Sequence, residues 1–90
     1  MAFSQRFLEE VKDRNDITEL VSKYVALKRA GSNMSGLCPF HNEKTPSFTV
    51  FPKTRSYYCF GCGAGGDAVS LVMAMEGLSY PEAVEYLANR

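Results

Sequence analysis

The ninety residues, which have a net charge of zero, fit one small domain. A chain of this size buries only about 60% of the surface that it exposes when unfolded, so its apolar core alone gives marginal stability. No N-terminal run resembles a signal peptide, and no stretch approaches the ~20 apolar residues of a membrane span. We therefore expect a soluble cytoplasmic domain that does not contact a membrane.

The charges are unevenly distributed along the chain. Residues 1–22 carry a net charge of −2, residues 23–55 carry +5 and residues 56–90 carry −3. The positive segment contains six basic side chains: Lys23, Lys28, Arg29, Lys44, Lys53 and Arg55. A local positive field of this kind says more about partners than the overall charge does.

Two helices are predicted before residue 25. Residues 4–14 have apolar side chains at helical spacing, with Phe7 and Val11 on one face. Asp16 is expected to cap a second helix, with Glu19 completing a partial capping box. The apolar stripes of both helices are expected to face the core.

A small antiparallel sheet is predicted next. From Val25 the pattern alternates as in a half-buried strand, residues 31–33 form a turn, and the returning strand leads to Cys38. Residues 47–51 alternate and are rich in strand-forming residues, residues 52–55 form a turn, and residues 56–58 return towards Cys59.

Two further helices are predicted after the sheet. Asp67 can cap a helix that ends at Gly77, and a capping box from Ser79 to Glu82 opens a last helix that reaches about Asn89. The expected architecture is a single α+β domain over residues 1–90. Helices occupy about residues 4–24 and 67–90, and they flank a zinc ribbon over about residues 25–66.

The cysteines and the histidine form a metal-ligand pattern. Cys38-x-x-His41 and Cys59-x-x-Cys62 are separated by 17 residues, and together they use all three cysteines and the one histidine of the chain. Such pairs on two knuckles joined by a hairpin are typical of structural zinc sites. Because four protein ligands are available, we predict one closed, structural zinc site rather than a catalytic site with an open position.

Other interpretations of the cysteines are weaker. A disulfide framework would leave one of the three cysteines unpaired. A redox role for Cys59-Phe60-Gly61-Cys62 needs a thioredoxin-like βαβ context, which the sequence lacks. Free thiols in a core with a hydrogen-bonded histidine remain the third alternative.

Basic and aromatic residues are interleaved in the positive segment and just after it, as in proteins that bind single-stranded nucleic acid. The alternative is that the aromatic side chains form the core and the basic residues a solvated rim, and spacing alone leaves this open. Adjacent strand residues face opposite sides, so either Phe48 or Phe51 must face the core. The candidate contacts with nucleic acid are Lys28, Arg29, Lys44, Phe48, Lys53, Arg55 and Tyr57.

Two segments closely resemble the N-terminal zinc-binding domain of bacterial DNA primase, the CHC-type zinc finger. They are CPFHNEKTPSF at residues 38–48 and YCFGCGAGGD at residues 58–67, and the likeness extends into both flanks. The resemblance implies a zinc ribbon packed by helices, with Cys38, His41, Cys59 and Cys62 as ligands. Met34, Ser35 and Phe51 depart from the family pattern, which weakens DNA contact at the turn after Gly31 and stacking by Phe51.

The resemblance also implies a role in replication. Primase makes RNA primers on single-stranded template, and its zinc-binding domain helps select the initiation site. Nucleotidyl transfer, with its Mg²⁺ ions, is expected in a polymerase domain outside this sequence, which acts in cis or in trans. Binding to the replicative helicase is likewise expected through regions outside it. The alternative function is a protein-interaction module that docks on the polymerase domain or the helicase.

Overall fold

The computed structural model describes residues 3–42 and 44–90. In these residues it has four helices and five strands, in the order α1 (Gln5–Arg14), α2 (Ile17–Ser22), β1 (Lys28–Ala30), β2 (Asn33–Gly36), β3 (Phe48–Phe51), β4 (Ser56–Cys59), β5 (Gly65–Gly66), α3 (Ala68–Glu76) and α4 (Tyr80–Ala88). The strands form one antiparallel sheet in sequence order. The predicted α+β class is confirmed.

The helices begin at the expected caps. Asp16 accepts a hydrogen bond from the Thr18 N–H (2.9 Å), and Asp67 accepts one from the Ser70 N–H (3.0 Å). Ser79 and Glu82 form the predicted reciprocal capping box. Each cap satisfies backbone donors that a first helical turn leaves without partners.

The helical ends also show one difference from the sequence prediction. The Glu19 carboxylate, which we expected to complete a capping box with Asp16, instead accepts a hydrogen bond from the Arg90 guanidinium (3.5 Å). The helix α3 ends at Gly77 as predicted, in the left-handed conformation (φ 67°) that glycine adopts at little cost. None of the helices in the described residues has the length and hydropathy needed to cross a membrane.

Two strands differ from the sequence prediction. β1 begins at Lys28 rather than Val25, because the Val25 N–H still donates to the Val21 carbonyl (2.9 Å) at the end of α2. β5 was missed because its two residues, Gly65 and Gly66, carry no side-chain pattern. Both are edge strands of the sheet that the described residues form.

The sheet has one covered face and one open face. The inner face carries Phe48, Val50, Tyr57 and Cys59, all buried, and helices α2 and α3 pack beside β3 and β5. Residues paired across antiparallel strands point to the same side. The register therefore defines a row on the opposite, outer face: Lys28, Ser35, Thr49, Tyr58 and Gly65.

Candidate metal centre

The sheet register brings the two metal-ligand pairs together. Gly36 in β2 pairs with Phe48 in β3, which pairs with Cys59 at the end of β4. Cys38 lies two residues after the end of β2, so the loops after β2 and β4 begin at the same end of the sheet, on either side of β3. Two motifs separated in sequence thereby become two adjacent knuckles.

The four side chains form one cluster. The ligand atoms of Cys38, His41, Cys59 and Cys62 all lie within 4.8 Å of one another. The sulfurs of Cys38 and Cys62 are 3.8 Å apart, and the Cys59 sulfur lies 3.9 Å from His41 Nδ1. A zinc tetrahedron with Zn–S bonds of about 2.3 Å has sulfur–sulfur edges of about 3.8 Å. The donor set and its spacing therefore fit a Zn²⁺ ion.

Hydrogen-bond donors surround the two buried sulfurs. The Phe40 N–H donates to Cys38 Sγ and the Gly61 N–H donates to Cys59 Sγ, both at 3.3 Å. The Ser47 hydroxyl lies 3.6 Å from Cys59 Sγ. Three thiolates and one Zn²⁺ carry a net charge of about −1, and donors of this kind stabilise that charge.

The pKa values of the two buried thiols, Cys38 and Cys59, are shifted in opposite directions. Burial raises the pKa of the Cys38 thiol to about 11, against the lowering effect of the Phe40 N–H. Burial also acts to raise the pKa of Cys59. Hydrogen bonds from the Cys62 N–H, the Ser47 hydroxyl and the Gly61 N–H outweigh burial and lower this pKa to about 6. Since a zinc-bound cysteine is a thiolate, a Zn²⁺ ion held by these residues would require the Cys38 thiol to lose its proton.

Aromatic side chains close the inner side of the cluster. The rings of Phe48 and Tyr57 have centroids 5.3 Å apart, and Phe40 packs 6.1 Å from each. Phe48 is 0% exposed and Tyr57 is 5% exposed. Both rings therefore belong to the core and are not accessible for stacking on a nucleotide base. This corrects the prediction that Phe48 or Tyr57 contacts a base.

The basic candidates occupy separate places. Lys28 and Lys44 line one groove of about 590 Å³ beside Cys38. Lys53 lies in the turn after β3, at the end of the sheet away from the metal ligands, beside Ser32 and Asn33. Arg29 is exposed on the edge strand, in the row of Met34 and Val50 that faces inward.

Arg55 has a different environment from the other basic candidates. It occupies the left-handed region (φ 55°), and its guanidinium forms a salt bridge with Asp13 of α1. The structure therefore brings Lys28 and Lys44 together and separates them from Lys53 and Arg55.

Two exposed aromatic side chains lie on the outer side of the sheet, and the sequence interpretation chose neither as a contact. Tyr58 is 41% exposed and Phe60 is 68% exposed, and their rings meet edge to face with centroids 5.0 Å apart. The missed signal was positional. Tyr58 is adjacent to the buried ligand Cys59 in β4, so its side chain points to the opposite side of the sheet, and the Phe60 ring packs against the Tyr58 ring there.

Comparisons with known proteins agree with this geometry. The model of the CHC2 zinc-finger family matches residues 3–90. The DNA primase of Pseudomonas aeruginosa is 55% identical over 86 residues, which are 96% of this chain and 13% of that protein. The DNA primase of Clostridium acetobutylicum is 49% identical over 90 residues, which are 100% of this chain and 15% of that protein.

A solved structure shares the fold. The crystal structure of the zinc-binding and RNA polymerase domains of Aquifex aeolicus primase matches with a TM-score of 0.87 and 44% identity, over 93% of this chain and 21% of that one. The chain therefore spans only a small part of the length of its relatives. The chain belongs to the CHC2 zinc-finger family and is a zinc-binding domain of the DNA primase type.

Proposed function

We propose that this domain binds single-stranded template DNA and helps select the sites at which a primase starts RNA primers. The observation that carries the proposal is the exposed pair Tyr58 and Phe60, on the same side of the sheet as Lys28. Exposed aromatic rings stack on unpaired bases, and lysines attract the phosphate backbone. Family membership supplies the replication context.

The outer row of the sheet has the dimensions for a short single strand. It crosses five strands from Lys28 through Ser35, Thr49 and Tyr58 to Gly65. With neighbouring strands about 4.8 Å apart, the row is about 19 Å long. Bases in one strand of a duplex are about 3.4 Å apart, so the row can contact several nucleotides. Hydroxyl groups at its centre can donate to or accept from base edges.

The bound metal would have a structural role. We propose that Cys38, His41, Cys59 and Cys62 hold one Zn²⁺ ion, which joins the ends of β2 and β4. Such an ion supplies folding free energy, about 10–16 kcal/mol of apparent binding energy in zinc-finger peptides at neutral pH. By holding the second knuckle it also holds Phe60 beside Tyr58. With all four positions taken by protein atoms, the site supports structure rather than hydrolysis.

The rest of primer synthesis would lie outside these residues. We propose that nucleotidyl transfer, with its Mg²⁺ ions, takes place in an RNA polymerase domain that this domain assists in cis or in trans. The relatives are far longer than this chain, and the Aquifex structure contains such a domain. Contact with the replicative helicase would be made by other regions, and the whole process would occur in the bacterial cytoplasm.

A second candidate function is docking on a partner protein. Leu37 is 48% exposed, and it lies in the groove beside Lys28 and Lys44 with Val25, Pro39 and Pro46. An exposed leucine among apolar side chains favours a protein contact more than a phosphate contact. The two functions involve neighbouring surfaces and can coexist.

The test of the DNA proposal is a titration of the zinc-loaded chain into a fluorescein-labelled single-stranded oligonucleotide, followed by anisotropy at several salt concentrations. We expect binding whose log–log salt slope is about −0.7 per phosphate neutralised. A duplex of the same sequence should bind more weakly, because its bases are already stacked. Absence of binding at low salt, with zinc bound, would contradict the proposal and favour the docking function.

A further inference from the structure

We propose that Ser47, which is not a metal ligand, positions the Cys59 sulfur for zinc through its hydroxyl group. The inference rests on the zinc site proposed above and not on DNA binding. Ser47 lies just before β3, and its Oγ is 3.6 Å from Cys59 Sγ. Contacts between a hydroxyl and sulfur are long compared with those to oxygen, and this one lies within the usual range.

The direction of the hydrogen bond follows from the chemistry of the ligand. A metal-bound cysteine is a thiolate, which can accept a hydrogen bond but has no proton to donate. In the zinc-loaded protein, Ser47 must therefore be the donor. The thiolate charge is then shared between the metal and a fixed O–H group, which is the usual role of residues behind metal ligands.

Cys59 and Cys62, in the same knuckle, differ in their need for such a donor. Cys62 is exposed, so solvent water can hydrogen-bond to its sulfur. Cys59 is 0% exposed, so its donors must come from the protein. The Gly61 N–H is a local donor, two residues along the same knuckle. Ser47 is a donor 12 residues away, and it joins the second knuckle to the start of β3.

The backbone holds Ser47 in place for this role. Its carbonyl accepts a hydrogen bond from the Phe60 N–H (2.9 Å), and the next residue, Phe48, pairs with Cys59 in the sheet. Phe48 is fully buried, so the backbone on that side of Ser47 is also fixed. The hydroxyl therefore reaches the sulfur without ordering a mobile segment, and its removal should act on the metal directly.

The test measures zinc affinity of the full 90-residue chain by competition with a chromophoric chelator. The decisive pair is Ser47→Thr and Ser47→Val, because these side chains have nearly the same shape and differ in the hydroxyl. We expect Ser47→Thr to bind zinc several-fold to tenfold more tightly than Ser47→Val. Ser47→Ala should lose about 10- to 100-fold relative to the natural chain, as is typical for residues behind metal ligands.

A spectroscopic readout separates this role from a packing role. With Co²⁺ in place of zinc, the thiolate-to-metal charge-transfer band reports on the sulfurs, and it should move in Ser47→Ala and Ser47→Val but not in Ser47→Thr. Ser56→Ala is the matched control, since the Ser56 hydroxyl bonds to Thr54 (2.8 Å) in the same hairpin. The control should leave both the affinity and the band unchanged.

The outcomes distinguish this inference from the zinc site itself. If the natural chain binds no zinc, the proposed metal site fails. If the natural chain binds zinc while Ser47→Thr and Ser47→Val bind it equally, the hydroxyl has no positioning role and this inference is overturned. A Ser47→Val variant that folds only at much higher zinc concentration than Ser47→Thr supports it.

Discussion

The two faces of the hairpin formed by β3 and β4 use similar residues for opposite purposes. On the inner face Phe48 and Tyr57 are buried against Phe40 beside the metal ligands. On the outer face Thr49 pairs with Tyr58, and Tyr58 meets the exposed ring of Phe60. The faces differ by a shift of one residue along each strand, because side chains alternate in a strand.

The comparison shows that composition identifies an aromatic hairpin but does not identify the face that meets a ligand. The helices decide this, because α2 and α3 cover the side that carries Phe48 and leave the other side open. Burial makes the inner aromatics contributors to stability. Exposure makes the outer aromatics available for binding. Substitutions on the two faces should therefore separate the two properties.

The largest effect is expected from Phe48→Ala. Removing a fully buried ring from the cluster with Phe40 and Tyr57 should lower the free energy of unfolding by about 3–5 kcal/mol. Denaturant unfolding in excess zinc measures this change. The matched control is Phe60→Ala, the same substitution at an exposed position, which should change stability by less than about 0.5 kcal/mol. Equal stability losses in the two variants would show that the inner and outer faces are not distinct.

The next effect concerns binding rather than stability. Tyr58→Ala should weaken binding to a single-stranded oligonucleotide by about 1–3 kcal/mol, because one stacked base loses its ring. Zinc affinity and unfolding should stay close to those of the natural chain, since the Tyr58 side chain faces solvent. Anisotropy titration and metal competition on the same preparation measure both properties. Unchanged DNA affinity in Tyr58→Ala and Phe60→Ala would move the DNA contact away from this face.

Local features were predictable from the sequence. The metal-ligand pairs are defined by a two-residue gap, and the helix caps at Asp16, Asp67 and Ser79 are defined by residues within one turn. The interactions involved span two to four residues, so the sequence contains all the information needed. The clustering of the four candidate metal ligands was also predictable, because all the cysteines and the histidine of the chain lie in the two ligand pairs.

Long-range features were not predictable in the same way. Which of the two alternating sets of strand residues is buried depends on the side of the sheet that the helices cover. The helices cover the side of Phe48 and Tyr57, so these residues lie in the core. Arg55 forms a salt bridge with Asp13, 42 residues earlier in the sequence, and no local sequence pattern predicts this contact. The glycines of β5 pair with Tyr57 and Tyr58 only once β4 is in place. Each of these features needs the tertiary arrangement first.

A smaller effect should distinguish the basic residues. Lys28→Ala and Lys44→Ala should each weaken single-strand binding of all sequences, and each should reduce the magnitude of the salt slope by about 0.7, the share of one phosphate. Both lysines line the groove beside Cys38. Titrations at several salt concentrations measure the slope.

The matched control for these lysines is Lys53→Ala, which removes the same charge at the other end of the sheet. Its slope should stay closer to that of the natural chain. Equal reductions in the salt slope for all three lysine variants would mean that the overall positive field attracts DNA. The phosphates would then not follow a defined route beside the outer face.

The smallest effect is expected at Asp67, where β5 leads into the helix that covers the inner face. Burial acts to raise the pKa of its carboxyl group. The Ser70 N–H and the nearby Lys12, whose Nζ lies 3.4 Å from Asp67 Oδ2, outweigh burial and lower this pKa below 3.8. A lowered pKa means that the ionised cap stabilises the fold above pH 3.8 and that this contribution is lost only as the pH falls through the lowered pKa.

Two variants separate the contributions of Asp67. Asp67→Ala should cost about 1 kcal/mol by removing the cap. Asp67→Asn should lower the free energy of unfolding by only a few tenths of a kcal/mol, because asparagine also caps helices and the ion pair with Lys12 is partly exposed. Unfolding measured at pH 6, 7 and 8 should give the same difference from the natural chain at each pH, since the carboxylate stays ionised throughout. Neither variant should change the affinity for single-stranded DNA; a loss of affinity without a loss of stability would make Asp67 part of the binding surface rather than a support for the covered face.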